Sequence, residues 1–200
     1  MALFSNLAIT EGGRSLLADA QAGAVLIPTK IVIGSGNMPT GKTAQTMTAV
    51  VSPVKELAIN KGKRLADGKV TFGGVYSNTD IMTAFYFREL ALFCRAEYRN
   101  NSGNVTQAVG ECLFCYGNAG GTADYMPAYS LNTVVERQID ITSWVGNDAQ
   151  VSMVVNSGVY VTQEQLADAI GSIDLSIKDA GTGKKYKWGI ENGLAFLEEV

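Results

Sequence analysis

Residues 85–93 (FYFRELALF) constrain the fold of this chain most, because they place an adjacent Arg88–Glu89 pair inside a run of aromatic and apolar side chains. The run predicts a strand that passes through or beside a core, where charges are rare unless they are paired and hydrogen-bonded. A strand with both polar side chains in water is the alternative. Consecutive side chains on a strand face opposite sides. We therefore expect Arg88 or Glu89 to have a hydrogen-bonded partner inside the fold or across a contact between chains.

The composition is that of a folded chain with little attraction for polyanions. Its 200 residues, 46% hydrophobic and 18% charged, suit one domain or one domain with a small appendage. A net charge of −3 gives no general attraction to nucleic acid or anionic membranes. No apolar run approaches the roughly 18 to 20 residues that span a bilayer, and the amino terminus resembles no secretory signal. We expect a soluble protein made in the cytoplasm, with no nucleic-acid partner and no membrane insertion.

Histidine is absent and cysteine is scarce, which limits the chemistry available. Without histidine, Ser-His-Asp and Cys-His catalysis are excluded. The three cysteines are an odd number, and the C-x-x-C spacing of Cys112 and Cys115 has no second copy that would complete a zinc site. Buried small hydrophobes are the preferred interpretation of these cysteines. The sequence thus assigns no catalytic residue, no cofactor and no metal ligand.

Local patterns predict a helix followed by several strands. Thr10 is a candidate N-cap, and the apolar stripe of Leu16, Leu17 and Ala20 ends at Gly23. Residues 25–34 contain a strand that Pro28 is expected to interrupt. The dipeptide Asp67-Gly68 predicts a hairpin. Its two arms are residues 48–60 and 69–78.

Further strands and a second helix follow. A strand over residues 132–144 is expected to form an antiparallel hairpin with residues 150–156. Thr162 is a candidate cap for a short helix over residues 163–170. Residues 184–200 suggest two strands around Asn192-Gly193. The class is therefore α+β, mostly antiparallel β, with one domain over residues 1–162 and a helix plus small hairpin over residues 163–200.

Residues 36–43 (GNMPTGKT) match the phosphate-binding pattern G-x-x-x-x-G-K-[ST]. The chemistry would need backbone N–H groups around the phosphates, Lys42 on the terminal phosphates, Thr43 on Mg²⁺ and a helix beginning at once. Pro39 removes one N–H donor, and residues 44–53 do not suggest a helix. A loop that contacts a partner protein is preferred. A nucleotide-binding protein using Gly36 to Thr43 remains the alternative.

The aromatic residues near the carboxyl end permit another alternative. Tyr186, Trp188 and Phe196, if exposed, would suit a small carbohydrate-binding module. The preferred interpretation is that they fill the core of the terminal hairpin, because so small a unit needs large apolar side chains.

Four blocks, read in order, resemble one family. They are residues 6–18 (NLAITEGGRSLLA), 30–36 (KIVIGSG), 87–93 (FRELALF) and 123–128 (ADYMPA). Together they resemble the N-terminal domain of phage tail-collar fibre proteins, found at the baseplates of contractile phage tails and phage-tail-like particles. The resemblance covers about residues 3–165.

The resemblance implies a structural protein and not an enzyme. In that family the domain anchors a fibre to the baseplate, so a baseplate wedge protein is the expected partner and a homotrimer the expected assembly. The expected location is the virion or particle, assembled in the host cytoplasm. The chain lacks a long shaft and an evident receptor-binding tip. A short fibre, or an adaptor for a distal fibre or receptor-binding protein, is therefore implied.

Overall fold

The structure is a computed structural model that describes residue 4 and residues 7–66, 68–146, 150–151, 177–178, 181–182, 184–191 and 194–199. The chain divides into two compact units, Met1–Val159 and Tyr160–Val200. Their strands are mainly antiparallel and accompany one described α-helix, which confirms the predicted α+β, mostly β class. The helix predicted over residues 163–170 lies outside the described residues.

Among its described residues the first unit contains one helix, α1 (Glu11–Gln21), and two single 3-10 turns, Ala44–Thr46 and Gly120–Thr122. Its described strands, β1 to β11 in chain order, are Ala8–Ile9, Val25–Gly34, Pro53–Ala58, Lys61–Arg64, Lys69–Ser77, Phe85–Phe87, Glu89–Arg99, Val105–Asn118, Asp124–Met126, Glu136–Trp144 and Gln150–Val151.

Helix α1 begins and ends where the sequence predicts. The Thr10 hydroxyl accepts a hydrogen bond from the Gly13 N–H at 3.0 Å and so caps the first turn. The same hydroxyl donates to the Leu113 carbonyl, which fastens the helix start to β8. Leu16, Leu17 and Ala20 are buried. After the helix, Gly23 adopts a φ of 104°, a conformation that favours glycine.

The main sheet has the strand order β1-β8-β7-β2-β11, with β3 also paired to β2. Strand β2 is continuous through Pro28, so the predicted interruption is wrong. Its outer edge pairs with β11 up to Leu26 and with β3 only from Lys30 onward. Pro28 lies between these two pairings, beside a register shift against β7. Proline has no N–H to donate, and it is tolerated there because neither β11 nor β3 pairs with the outer edge of β2 at this residue.

The second sheet, β10-β5-β4, supplies the other side of the main core. Buried side chains from this sheet, from α1 and from one face of the main sheet form that core; they include Leu16, Leu26, Ile31, Leu57, Phe72, Tyr76, Leu92, Phe114 and Ile141. The opposite face of the main sheet has a smaller core of its own. There Ala44 and Met47 of the loop over residues 35–52 cover Val32, Ala91 and Tyr116.

The hairpin at Gly68 forms with a different partner from the predicted one. Its arms are β4 and β5, and Gly68 has a φ of 67°. Residues 48–60 were expected in that hairpin, but β3 pairs with β2 of the main sheet instead. The burial of Leu57 explains the difference. Leu57 lies on β3, and its side chain is buried in the main core. The dipeptide therefore predicts the turn correctly and the first arm wrongly.

The predicted hairpin between residues 132–144 and 150–156 is also wrong where the structure describes it. Strand β10 pairs with β5, whereas β11 pairs with β2 in parallel. The N–H groups of Val145 and Gly146 both donate to the Gly68 carbonyl, at 2.8 and 3.1 Å. Val145 is buried. These contacts turn the chain away from β10 towards the other sheet.

The second unit contains a three-stranded antiparallel sheet. Strands β12 (Ile177–Lys178), β13 (Lys185–Glu191) and β14 (Leu194–Glu199) follow in that order. The pairing of β13 with β14 confirms the predicted terminal hairpin. Strand β12 pairs with β13 and adds a third strand to this hairpin.

The contact between α1 and β8 leads to a test of stability. A Cβ atom at Gly13 would lie 2.2 Å from the Phe114 carbonyl oxygen, a backbone atom. We expect Gly13→Ala to lower the free energy of unfolding by about 1–3 kcal/mol, because overpacking outweighs the gain in helix propensity of roughly 1 kcal/mol. Gly121→Ala is the control, since no heavy atom lies within 4 Å of its Cβ position. Urea denaturation measures both, and equal stabilities would contradict the close contact.

Candidate functional site

The run over residues 85–93 is two strands and not one, because the chain changes sheet at Arg88. Strand β6 pairs with β9, whereas β7 lies in the main sheet between β2 and β8. The Arg88 N–H donates to the Gly34 carbonyl at 3.0 Å, and the Arg88 carbonyl accepts from the Ala119 N–H at 2.7 Å. The prediction of a single strand is therefore wrong.

The expectation of a tied-down charge is confirmed at Glu89. Its side chain is fully buried. One carboxylate oxygen, Oε2, accepts from the N–H groups of Gly36 at 2.7 Å and Ser52 at 2.9 Å. The other, Oε1, accepts from the Val51 N–H at 2.7 Å and the Tyr116 hydroxyl at 2.8 Å. Four donors of the same chain thus fill the lone pairs that an ionised carboxylate offers.

Two glycines leave the space that this carboxylate occupies. A Cβ atom would lie 2.6 Å from Glu89 Oε2 at Gly34 and 2.7 Å from the same oxygen at Gly36. Neither distance is compatible with a side chain unless the carboxylate moves. Gly34-Ser35-Gly36 and Val51-Ser52 therefore form a backbone cradle around Glu89, which we call the Glu89 cradle.

Tyr116 and Asn118 extend the Glu89 cradle along β8. The Asn118 side-chain amide donates to the Gly36 carbonyl at 3.0 Å and to the Tyr116 hydroxyl at 3.2 Å. Burial raises the pKa of the Tyr116 hydroxyl; the bond from Asn118 opposes that shift and the contact with Glu89 adds to it. Tyr116 therefore stays protonated and acts as a hydrogen-bond donor to the carboxylate.

Arg88 has different partners from Glu89. Its guanidinium donates to the Ser35 carbonyl at 3.2 Å and lies 5.0 Å from the centre of the Tyr86 ring. The ion pairs of the described residues do not include Arg88 with Glu89. The two neighbouring charges are thus stabilised separately, one by backbone N–H groups and one by a carbonyl and an aromatic ring.

Residues 36–43 have surroundings unlike those of a phosphate-binding loop. The Gly36 N–H already donates to Glu89, so this donor is occupied by the chain's own carboxylate. Thr43 precedes only the three-residue turn Ala44–Thr46, and its N–H donates to the Thr46 hydroxyl at 3.0 Å. The next strand, β3, returns antiparallel to β2. The loop lacks the helix and the parallel crossover that the motif needs.

Two of the cysteines are buried, as the sequence predicts, and the third is half-buried. All three are free, and Cys94 is the register partner of Cys112. Burial raises the pKa of Cys94 well above its usual value and that of Cys115 to about 12. The described residues contain no group of three or more Cys, Asp or Glu that could hold a metal ion.

An exposed apolar surface, which the sequence did not reveal, lies on the ribbon formed by residues 78–88 and 124–135. Strands β6 and β9 are its centre. Beyond them the Tyr129 N–H donates to the Ile81 carbonyl at 2.8 Å, and Asn78 exchanges hydrogen bonds with Val135. Of the ten large apolar side chains found exposed where side chains are described, this ribbon carries six: Met82, Tyr86, Tyr125, Tyr129, Leu131 and Val134.

Two ion pairs within the chain lie beside this ribbon. Lys55 donates to Asp80, and this bond lowers the pKa of the Asp80 carboxyl. Arg137 donates to Asp124 at 2.9 Å. Tyr86 and Tyr125 contact each other edge to face, with ring centres 5.7 Å apart. The surface is therefore apolar and aromatic.

The aromatic residues of the second unit lie on β13 and β14. Trp188 is the backbone register partner of Leu197, and Phe196 that of Gly189. Tyr186 is half-buried. The side chains of Trp188 and Phe196 lie outside the described residues, so the carbohydrate-binding alternative stays a prediction.

No family model, curated protein or solved structure matches this chain. Within the part of the chain that the structure describes, no helix is long and apolar enough to cross a membrane. The Glu89 cradle, the ribbon and the sequence resemblance are therefore the features of the chain that bear on function.

Removal of the buried carboxylate tests the Glu89 cradle. We expect Glu89→Ala to lower the free energy of unfolding by about 3 kcal/mol, because the buried Tyr116 hydroxyl and three partly buried N–H groups lose their shared acceptor, at roughly 1 kcal/mol each. Arg88→Ala is the comparison and is expected to cost about 1 kcal/mol, because it removes one hydrogen bond and one cation–π contact. Chemical denaturation measures both variants, and Glu89→Gln provides an isosteric variant if Glu89→Ala does not fold. A Glu89→Ala protein as stable as the wild type would contradict this assignment.

Thiol reactivity tests the burial of the cysteines. In the folded protein at mildly alkaline pH, we expect Ellman's reagent to modify Cys112 first. Cys94 and Cys115 should react only after denaturation, because the thiolate is the reactive form and burial disfavours it. A Cys112→Ser variant is the control and should be silent until unfolded. Rapid modification of Cys94 or Cys115 in the folded protein would contradict the structure.

Proposed function

We propose that this chain is a structural protein of a contractile phage tail or phage-tail-like particle, which attaches a tail fibre to the baseplate as a short fibre or a fibre adaptor. It has no catalytic role. It associates with itself as a homotrimer and binds a baseplate wedge protein within the assembled particle.

The observation that carries this proposal is the Glu89 cradle, because it joins two of the four resembling blocks. Residues 30–36 supply Gly36, and residues 87–93 supply the carboxylate. Residues 6–18 form β1 and most of α1, which lie on β8 beside Tyr116. Residues 123–128 form β9, which pairs with β6. All four blocks thus build one structural unit, as expected if the resemblance reflects a shared architecture.

The state of Glu89 supports a structural role over a chemical one. A carboxylate that accepts four hydrogen bonds from its own chain retains no free acceptor site for a substrate proton. The Glu89 carboxylate instead links the chain after β2, the chain before β3 and strand β8.

The ribbon supports a role in attachment. Contiguous exposed apolar surface on soluble proteins commonly marks an interaction site, and tyrosine and methionine are enriched in protein interfaces. Met82 and Leu131 are 89% and 88% exposed. Because the charges beside the ribbon are paired within the chain, a protein partner with an apolar surface suits it better than a polyanion.

Sedimentation of the full chain, alone and with a baseplate wedge protein of a contractile tail, tests the proposed function. We expect a mass of three copies for the chain alone and a stable complex with the wedge protein. A strict monomer that does not bind the wedge protein would overturn the proposal.

Substitutions on the ribbon test which surface makes the attachment. We expect Met82→Lys with Leu131→Lys to weaken the complex with the wedge protein at least about tenfold, because two charges would be buried against an apolar partner. Leu65→Lys is the control for an added surface charge, since Leu65 is exposed and bonds to Lys69 at the end of β5 far from the ribbon. Titration calorimetry measures affinity and thermal unfolding checks the fold. Equal affinities for both variants would exclude the ribbon as the attachment surface.

A further inference from the structure

The three cysteines of the chain face the same side of the main sheet. Cys94 and Cys115 belong to the main core, and Cys112 packs against it. Residues three apart on a regular strand face opposite sides. Strand β8 is irregular between Leu113 and Cys115, where its register against β7 shifts and Phe114 is the extra residue. This bulge turns both cysteines of the C-x-x-C spacing towards the main core.

Cys94 and Cys112 are direct register partners on the antiparallel strands β7 and β8. Such partners have Cα atoms about 4.5 or 5.5 Å apart, and a disulfide accepts Cα separations of about 4.4–6.8 Å. Shifts in register lie on either side of this pair, but the neighbouring pair of Phe93 with Leu113 is in step with it. The backbone therefore holds the two thiols at a separation that a disulfide can bridge.

The third cysteine is less suited to the same bond. Cys115 is the register partner of Leu92 and so lies diagonally across from Cys94. Diagonal neighbours have Cα atoms about 7–8 Å apart, which exceeds the usual reach of a disulfide. Cys112 and Cys115 lie on one extended strand at roughly 8–10 Å. The Cys115 thiol donates instead to the Ser143 hydroxyl at 3.4 Å.

We propose that Cys94 and Cys112 are a disulfide-forming pair, which is joined across β7 and β8 when the chain meets a small disulfide such as oxidised glutathione. The Cys112 thiolate attacks one glutathione sulfur, forms a mixed disulfide and releases one glutathione thiolate. Cys94 then attacks the Cys112 sulfur and releases the second glutathione. The two protein thiols lose two protons and two electrons, and oxidised glutathione takes them up as two glutathione thiols.

The surroundings of the two thiols set the order of these steps. Cys112 is half-buried, whereas Cys94 is fully buried. A Cβ atom at Gly12 would lie 3.2 Å from the Cys112 sulfur, so a side chain there would cover the thiol and glycine leaves it open. Burial raises the pKa of Cys94 well above its usual value. The second step is therefore slow, and brief labelling with Ellman's reagent stops at Cys112 whereas exposure for hours reaches the disulfide.

The disulfide would fasten together two neighbouring strands of the main sheet. It closes residues 95–111 into a ring, which restricts the unfolded chain and so stabilises the folded one. A reducing cytoplasm keeps such a pair as thiols, and oxidising surroundings permit the bond. The inference goes beyond the proposed function and does not depend on it, because it needs only the register of β7 against β8.

Oxidation of the folded full chain tests the pair. The protein is kept for hours with oxidised glutathione at mildly alkaline pH, and its peptides are then mapped by mass spectrometry without reduction. We expect a peptide linked through Cys94 and Cys112, with Cys115 still a thiol. The oxidised protein should unfold at a temperature about 5–10 °C higher than the reduced one, and a reductant should reverse this change.

Single substitutions separate this bond from other oxidation products. Cys115→Ser is the matched control and should form the same disulfide as the wild type. Cys94→Ala should stop with one glutathione on Cys112, and Cys112→Ser should take up none while folded. The proposal is overturned by a wild type that retains all three thiols, that keeps glutathione on Cys112, or that links Cys112 to a second chain or to Cys115. The peptide map of the wild type decides the matter even if a variant does not fold.

Discussion

The carboxylate of Glu89 is the contact on which the rest of the first unit depends. Burial of an ionised carboxylate costs several kcal/mol, and only a full set of hydrogen bonds offsets that cost. Here the donors come from Gly36, Val51, Ser52 and Tyr116. The chain just after β2, the segment before β3 and the carboxyl end of β8 are thereby fixed to the start of β7. The loop between β2 and β3 is fixed at both of its ends, which holds its apolar side chains over the second core.

The change of sheet at Arg88 connects this interior to the surface. The backbone of Arg88 bonds to Gly34 and Ala119, whereas its side chain bonds to Ser35 and lies over Tyr86. One residue thus contacts both the Glu89 cradle and the ribbon. A protein that bound at Tyr86 would meet an Arg88 side chain already held by Ser35, so little conformational entropy would be lost on binding.

Local patterns in the sequence predict part of this structure correctly. The cap at Thr10, the turn at Gly68 and the expectation that Arg88 or Glu89 is held by hydrogen bonds each follow from a few neighbouring residues. The pairing of β3 with β2 and the parallel pairing of β11 do not, because they depend on which buried side chains meet across long separations. The ribbon was missed for a similar reason. Met82 and Leu131 lie in irregular segments without periodicity, so their exposure depends on contacts that the sequence does not display.

The segment that begins at Gly36 shows why a phosphate-binding pattern is ambiguous. Backbone N–H groups that converge on an anion stabilise a carboxylate as well as a phosphate, because both present negative oxygen acceptors. A glycine is needed in either case to let the anion approach, and at Gly34 and Gly36 the anion is Glu89. A carboxylate of the same chain is held in place by folding, whereas a free phosphate loses its translational freedom on binding. The N–H groups of Gly36, Val51 and Ser52 therefore bind Glu89 in preference to a dissolved anion. The pattern becomes interpretable only together with Arg88–Glu89, the charged pair set in an apolar run about fifty residues further along the chain.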